Sequence, residues 1–246
     1  MAQRTNSSQF PQEYPAIELD ILSQPDETTC GPTCLQAVYK FYRDHIDLQR
    51  VIKEVHCFED GGTLAVWLGC HALSRGYDAL LYSCNLQLFD PTWFTRDNVD
   101  LYKKLMKQIR YKREKKMVRT SHAFMDFLRL GGKIKLEDFS RELIRKYLSQ
   151  GIPILTGLSS TFLYRSAREY GDNLEFDDIR GLPTGHFVIL CGYNRQTKNV
   201  LIADPHAKNP YSASLKYEVP IDRVICSILL GILTYDANFL IIRPKE

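Results

Sequence analysis

The segment Gln24-Pro25-Asp26-Glu27-Thr28-Thr29-Cys30-Gly31-Pro32-Thr33-Cys34-Leu35 constrains this chain more than any other. Its polar half ends where Cys30 opens a predicted helix. Pro32 suits a first helical turn, where a missing N–H costs nothing. Leu35, Val38, Tyr39 and Tyr42 then recur at helical spacing. A cysteine at a helix N-terminus meets the positive end of the macrodipole, which favours thiolate over thiol. Gln24 stands six positions upstream. Its side-chain N–H, beside the backbone N–H of Cys30, can donate to a developing oxyanion. One short segment thus offers a nucleophile and an oxyanion hole.

A thiol nucleophile needs a base, and the base needs an orienting partner. Gly185-His186-Phe187-Val188-Ile189-Leu190-Cys191-Gly192-Tyr193 reads as a buried strand that begins with a histidine. Asn194 to Lys198 is a polar turn, and Asn199-Val200-Leu201-Ile202-Ala203-Asp204-Pro205 is a returning strand that ends with an aspartate. In a hairpin the start of one strand lies beside the end of the other. His186 and Asp204 therefore meet at one end, where the carboxylate can hold the imidazole in the useful tautomer. His206 is the rival base, and its place after Asp204-Pro205 makes it a loop residue.

Gln24, Cys30, His186 and Asp204 together resemble a papain-like catalytic set. The motif text is similar to the bacteriocin-processing (double-glycine) peptidase family and its stand-alone bacterial relatives, over Gln24 to Tyr42 and Ile152 to Pro205. Gly61 to Phe94, with Gly61-Gly62-Thr63-Leu64-Ala65-Val66, resembles a longer bacterial subfamily. Thr29 departs from the pattern, since the processing peptidases often place Asp there, and the transporter role of that family is not expected to carry over. The resemblance implies an α+β, papain-like cysteine protease fold, with an N-terminal helical part packed on an antiparallel sheet. It implies a bacterial thiol-dependent hydrolase, a peptidase or amidase, that cleaves a peptide or amide substrate through a Cys30-His186-Asp204 triad and an acyl-enzyme. Gly185 would adjoin the substrate. No cofactor and no metal are expected. The same residues would serve acyl or γ-glutamyl transfer, as in the distantly similar phytochelatin synthases. A non-catalytic peptide-binding module is the third reading.

Helices precede strands along the chain, which independently fits an α+β domain. A single domain is expected over residues 1–246, with an insertion at about 85–132. The formal charge of +3 is too small to indicate nucleic acid or a membrane. Seven cysteines, an odd number, several within apolar periodic segments, indicate reduced thiols. Met1 to Tyr14 is polar and lacks a signal-peptide core, so a cytoplasmic enzyme is expected. The most apolar run, Val224 to Leu233, falls short of the roughly 20 residues of a membrane span, and fits a buried helix before a final strand at Asn238 to Ile242.

The remaining elements are expected as follows. Helices run from Cys30 to Asp44 and Leu48 to Val55. Thr63 N-caps a helix from Leu64 to Arg75, stopped by Gly76. Tyr77 to Ser83 is a strand. Asp90 to Phe94 is a loop whose Trp93 and Phe94 are candidates to line a substrate cleft. Val99 to Arg119 is one basic helix with an apolar stripe of Leu101, Leu105 and Ile109. Its cations at 103–119, opposed only by Glu114, suit either a solvated face or an acidic partner. Leu136 to Gln150 is helical, Ile152 to Leu158 is a strand, and Ser159 to Thr184 is a long polar loop. Cys34, one turn after Cys30, reads as core. The histidines show no metal-ligand spacing, and neither GxGxxG nor HExxH occurs.

Overall fold

Continuous apolar runs form the middle of a seven-stranded sheet. A computed structural model of the chain describes residues 16–59, 61–96, 99–171, 173–231 and 237–245. The expectation for Met1 to Tyr14 and the end of the Val224 to Leu233 run lie outside these residues. The strands are β1 (Tyr77–Ser83), β2 (Lys133–Lys135), β3 (Ile154–Ser159), β6 (Gly185–Asn194), β7 (Asn199–Ala203), β8 (Lys216–Pro220) and β9 (Asn238–Pro244), in the order β2-β1-β9-β3-β6-β7-β8. Among these strands β1 and β2 pair in parallel, and the other neighbours are antiparallel. All of β3 is buried, as a strand covered on both faces requires. The helices α1 (Cys30–Phe41), α6 (Arg141–Leu148) and α8 (Ile221–Leu230) pack on β3 and β6. The result is the expected α+β fold with an antiparallel-dominated sheet.

The β6–β7 hairpin forms where the sequence places it. Asn194 closes the turn, its Oδ1 accepting from the backbone N–H groups of Gln196 and Thr197 at 3.0 and 3.2 Å. One feature was not expected: a bulge between Leu190 and Gly192. Asn194 faces Asn199 and Gly192 faces Leu201, but Leu190 faces Ile202. The extra residue, Cys191, changes the face of everything before it relative to β7. It brings His186 to the same face as Asp204, which continues the β7 ladder by donating its N–H to the Leu215 carbonyl at 2.8 Å. Without the bulge the two side chains would lie on opposite faces.

Several expected boundaries are corrected. The basic helix is two helices, α4 (Leu101–Gln108) and α5 (Lys115–Arg129). Asp100 caps α4 by accepting from Lys103 N–H at 3.0 Å. Helices α4 and α5 pack on one another, with Leu105 buried, so the cation-rich stretch between them turns. The helix expected from Leu136 starts at Arg141, because the Ser140 hydroxyl caps it by accepting from Leu143 N–H at 3.1 Å, while β2 pairs with β1 before it. Thr63 is not a cap. Its hydroxyl donates to the His56 carbonyl at 2.6 Å, and α3 (Ala65–Ser74) begins after Leu64. Asp90 to Phe94 closes as a 3-10 turn over Pro91–Phe94. The stretch from Ser159 to Thr184 is not merely loop: it holds α7 (Ser160–Tyr164) and a ribbon of β4 (Glu169–Tyr170) and β5 (Glu175–Phe176). β8 was missed, although its alternation, with Tyr217 and Val219 inward, is a strand pattern.

Helix α5 docks on α3 through Phe127, which has no exposed surface. Gly69 of α3 and Gly132 leave room for the ring: a Cβ added at either would come within 2.6 and 2.4 Å of it. Phe127→Ala should therefore cost about 3–5 kcal/mol of stability, and Gly69→Ala should also destabilise. Urea unfolding measures both. A Phe127→Ala midpoint equal to that of the parent protein would contradict this packing.

Candidate active site

The loop before α1 is shaped by its own side chains. Asp26 Oδ1 accepts from the Thr28 N–H and hydroxyl, each at 2.8 Å. The Thr29 hydroxyl donates to the Asp26 carbonyl at 3.1 Å. Thr29, the N-cap residue, therefore makes no side-chain bond to the helix, and the start of α1 is left open. A helix offers unpaired N–H groups and a positive partial charge there, beside the Cys30 sulfur. The Gln24 N–H donates to the Pro205 carbonyl at 2.9 Å, which ties this loop to the segment just after Asp204.

Gln24 lies at the same cleft as Cys30. One Nε2 hydrogen is used on the Asp26 carbonyl at 2.8 Å, and a primary amide carries two. Its Oε1 is buried without a partner. Cys34, one turn beyond Cys30, is fully buried and donates its thiol to the Phe187 carbonyl at 3.3 Å. Burial pushes that thiol well up, with the Cys30 sulfur and Asp204 adding to the effect. It belongs to the core and joins α1 to β6.

His186 and Asp204 meet as the hairpin requires. His186 Nε2 lies 2.8 Å from Asp204 Oδ1. Asp204 is completely buried and His186 is 8% exposed. The same Oδ1 also accepts the His206 backbone N–H at 2.9 Å. Oδ2 accepts the hydroxyls of Tyr164 at 2.6 Å and Tyr217 at 2.5 Å. A carboxylate taken out of water normally gains protons, and burial acts that way on Asp204. The His186 charge and the hydrogen bonds from His186, Tyr164 and Tyr217 outweigh it, so its value stays below the ordinary one. Burial likewise disfavours a charged His186, but the Asp204 carboxylate and the Cys30 sulfur outweigh it by charge and hydrogen bonding, and His186 is raised to about 10. Both tyrosines are pushed up by burial and by Asp204, so they remain donors.

The cleft has a volume of about 300 Å³, and Gln24, Cys30, Gly185 and His186 all line it. Trp93 and Phe94 do not. Phe94 packs edge-on against Phe89 with centroids 5.8 Å apart, and Lys104 Nζ sits 5.9 Å from the Trp93 ring; both aromatics anchor the segment before α4. His206, the rival base, does reach the cleft. It serves Asp204 through its backbone N–H, while its ring stacks on Tyr164 with centroids 6.1 Å apart. Tyr164 and Tyr217 were missed altogether. Tyr217 had a signal in the inward positions of β8; Tyr164 had none, being brought in by a short helix inside an apparent loop. The cations at 103–119 are exposed along α4, the turn and the start of α5. The Arg119 guanidinium lies 5.1 Å from the Phe58 ring and 5.4 Å from the Trp67 ring. Among the described residues no group of three His, Cys, Asp or Glu side chains is placed to hold a metal ion.

These features can be set beside known proteins. The sequence profile described as "Peptidase_C39 like family" matches residues 16–221. No curated protein matches significantly. Among solved structures, a putative C39-like peptidase from Bacillus anthracis is similar over 94% of this chain and 98% of its own, at 13% identity and a TM-score of 0.52. That similarity is one of fold. The peptidase domain of Streptococcus ComA matches over 92% of this chain and 99% of its own, with 12% identity and a TM-score of 0.44. Xylellain, a cysteine protease from Xylella fastidiosa, matches over 93% and 84%, with 13% identity and a TM-score of 0.44.

The electrostatics set a pH window for stability. His186 contributes fully below its ordinary value of 6.5, and that contribution is lost as pH rises through about 10. Asp204 contributes above its ordinary value of 3.8 and loses that contribution as pH falls through its lower folded value. In an NMR titration of the imidazole C–H signals, His186 should titrate near 10, and Asp204→Asn should bring it down. A His186 signal that titrates near 6.5 in the parent protein would contradict the pairing.

Proposed function

The chain belongs to the Peptidase_C39-like family, and from that premise we propose that it is a thiol peptidase in which Cys30, His186 and Asp204 form the catalytic triad. The observation that carries the reading is the allocation of the imidazole nitrogens. Asp204 takes Nε2, which leaves Nδ1 for the Cys30 sulfur, and a hydrogen bond and charge interaction with Cys30 act on the ring. A thiol, a base and a buried orienter then stand in series.

The chemistry follows from this order. Cys30 Sγ attacks the carbonyl carbon of a peptide bond, and the thiol proton resides on His186. The carbonyl oxygen becomes an oxyanion, which accepts from the Cys30 backbone N–H and from the second Nε2 hydrogen of Gln24. The C–N bond breaks as His186 gives its proton to the leaving amine, and a thioester on Cys30 remains. Water then loses a proton to His186 and attacks the thioester. The acid is released as the thiol regains a proton. Asp204 keeps its charge throughout, fixes the ring and stabilises the imidazolium. Among the described residues no helix is long and apolar enough to cross a membrane. All seven cysteines are free thiols, which suits work in a reducing cytoplasm.

A screen of short peptides and γ-glutamyl peptides, with and without amine acceptors, tests the reading by mass spectrometry of the trapped thioester. The adduct should lie on Cys30 and be absent in Cys30→Ala. Hydrolysis by the Cys30→Ala protein, or an adduct on another thiol, would overturn it. On a cleaved substrate, Gln24→Ala should lower kcat on the order of 100-fold with little change in KM. Full turnover in that variant would remove Gln24 from the oxyanion hole.

Activity should also fall as pH rises through about 10, where His186 loses its proton. In Asp204→Asn this alkaline limb should move to lower pH. An alkaline limb unmoved by Asp204→Asn would show that His186 does not carry it.

A further inference from the structure

The cleft that holds Cys30 carries charge of one sign at its rim. Glu27 reaches it from the loop before α1, and Glu169 reaches it from the β4–β5 ribbon. Among the described residues no Lys or Arg side chain lines it, although the chain as a whole carries a formal charge of +3. The ribbon's own cations are committed elsewhere. Arg168 Nη2 donates to the Asp178 carbonyl at 2.5 Å. Arg180 pairs with Asp177 at 2.6 Å and lies 4.3 Å from the Tyr170 ring. Among the described residues the carboxylates of Glu27 and Glu169 have no ion-pair or hydrogen-bond partner.

A third residue of the cleft wall, Leu174, comes from the ribbon between β4 and β5. Leu174 lines the cleft and is 44% exposed, yet its backbone is left-handed at φ 52°. Bulky residues seldom adopt that conformation, and it persists where the surroundings impose it. Here the Leu174 N–H donates to the Gly171 carbonyl at 3.1 Å. The return of the ribbon is closely packed, since a Cβ at Gly181 would meet the Asp177 carbonyl oxygen at 2.4 Å. The cleft wall thus presents an apolar side chain together with two carboxylates.

We infer that Glu27 and Glu169 are specificity-determining residues that select a peptide with a lysine or arginine side chain beside the scissile bond, and that Leu174 covers the aliphatic stem of that side chain. The inference rests on the thiol-peptidase reading of the same cleft. A long cationic side chain is the ligand that uses both features, an apolar stem and a charged head. An acidic side chain would be repelled by both carboxylates, and His186, deep in the cleft, is already held by Asp204. A neutral side chain would gain nothing from either charge. Walls of low dielectric strengthen the selection, and added salt weakens it.

Three peptidyl chloromethyl ketones test this, identical except for lysine, norleucine or glutamate at the residue next to the ketone. Alkylation of Cys30 is followed by mass spectrometry. The lysine probe should react at least tenfold faster than the norleucine probe, and the glutamate probe should be slowest. Added salt should shrink the lysine advantage. E27Q and E169Q should each shrink it severalfold, read as the ratio of lysine-probe to norleucine-probe rates, and E169K should favour the glutamate probe. Equal rates for the three probes, with Cys30 still alkylated, would overturn the specificity and leave the thiol-peptidase reading standing. Failure of every probe and of iodoacetamide to modify Cys30 would overturn both.

Discussion

The site depends on one buried carboxylate. Asp204 has no exposed surface, and a charge in that position survives only if it is fully hydrogen-bonded. The protein supplies four donors: the His186 ring, the His206 backbone and two tyrosine hydroxyls. These come from β6, from the turn after β7, from α7 and from β8. Elements distant in the sequence are therefore committed to one atom pair.

The rest of the geometry brings Cys30 to that pair. The sheet contributes His186 and Asp204 through a hairpin whose bulge at Cys191 sets their common face. Helix α1 contributes Cys30, and two contacts hold it in register with the sheet: the Cys34 thiol on the Phe187 carbonyl and the Gln24 N–H on the Pro205 carbonyl. The first lies one turn inside the helix and the second just outside it. Between them the position of the sulfur is fixed from both directions, with the helix start left open beside it.

Much of this was legible in the sequence, for identifiable reasons. Cys30 stands out at the start of α1 because a polar loop, a Pro and a helical apolar repeat fall in sequence there. The meeting of His186 and Asp204 is legible because two apolar runs flank a short polar turn, and a hairpin joins opposite ends. The bulge was not visible, since Cys191 is as apolar as its neighbours and an extra residue leaves no compositional mark. The tyrosine donors were hidden differently. Tyr217 lies in a short alternating strand, and Tyr164 in a segment whose polarity concealed a helix and a ribbon. The sequence reads as one basic helix because charge and helix propensity continue through residues 109–114, where the chain turns between α4 and α5. Trp93 and Phe94 misled because exposed-looking aromatics in a loop can equally be anchors.

The central claim is that His186, held by Asp204, makes a nearly buried thiol the most reactive in the chain. Exposure alone predicts otherwise: Cys30 is 8% exposed, whereas Cys57 and Cys226 are open to solvent. Brief iodoacetamide treatment at neutral pH, followed by mass-spectrometric mapping of all seven thiols, separates the two. Cys30 should be modified first, and that precedence should vanish in His186→Ala. Modification of Cys57 and Cys226 ahead of Cys30 in the parent protein would contradict the account.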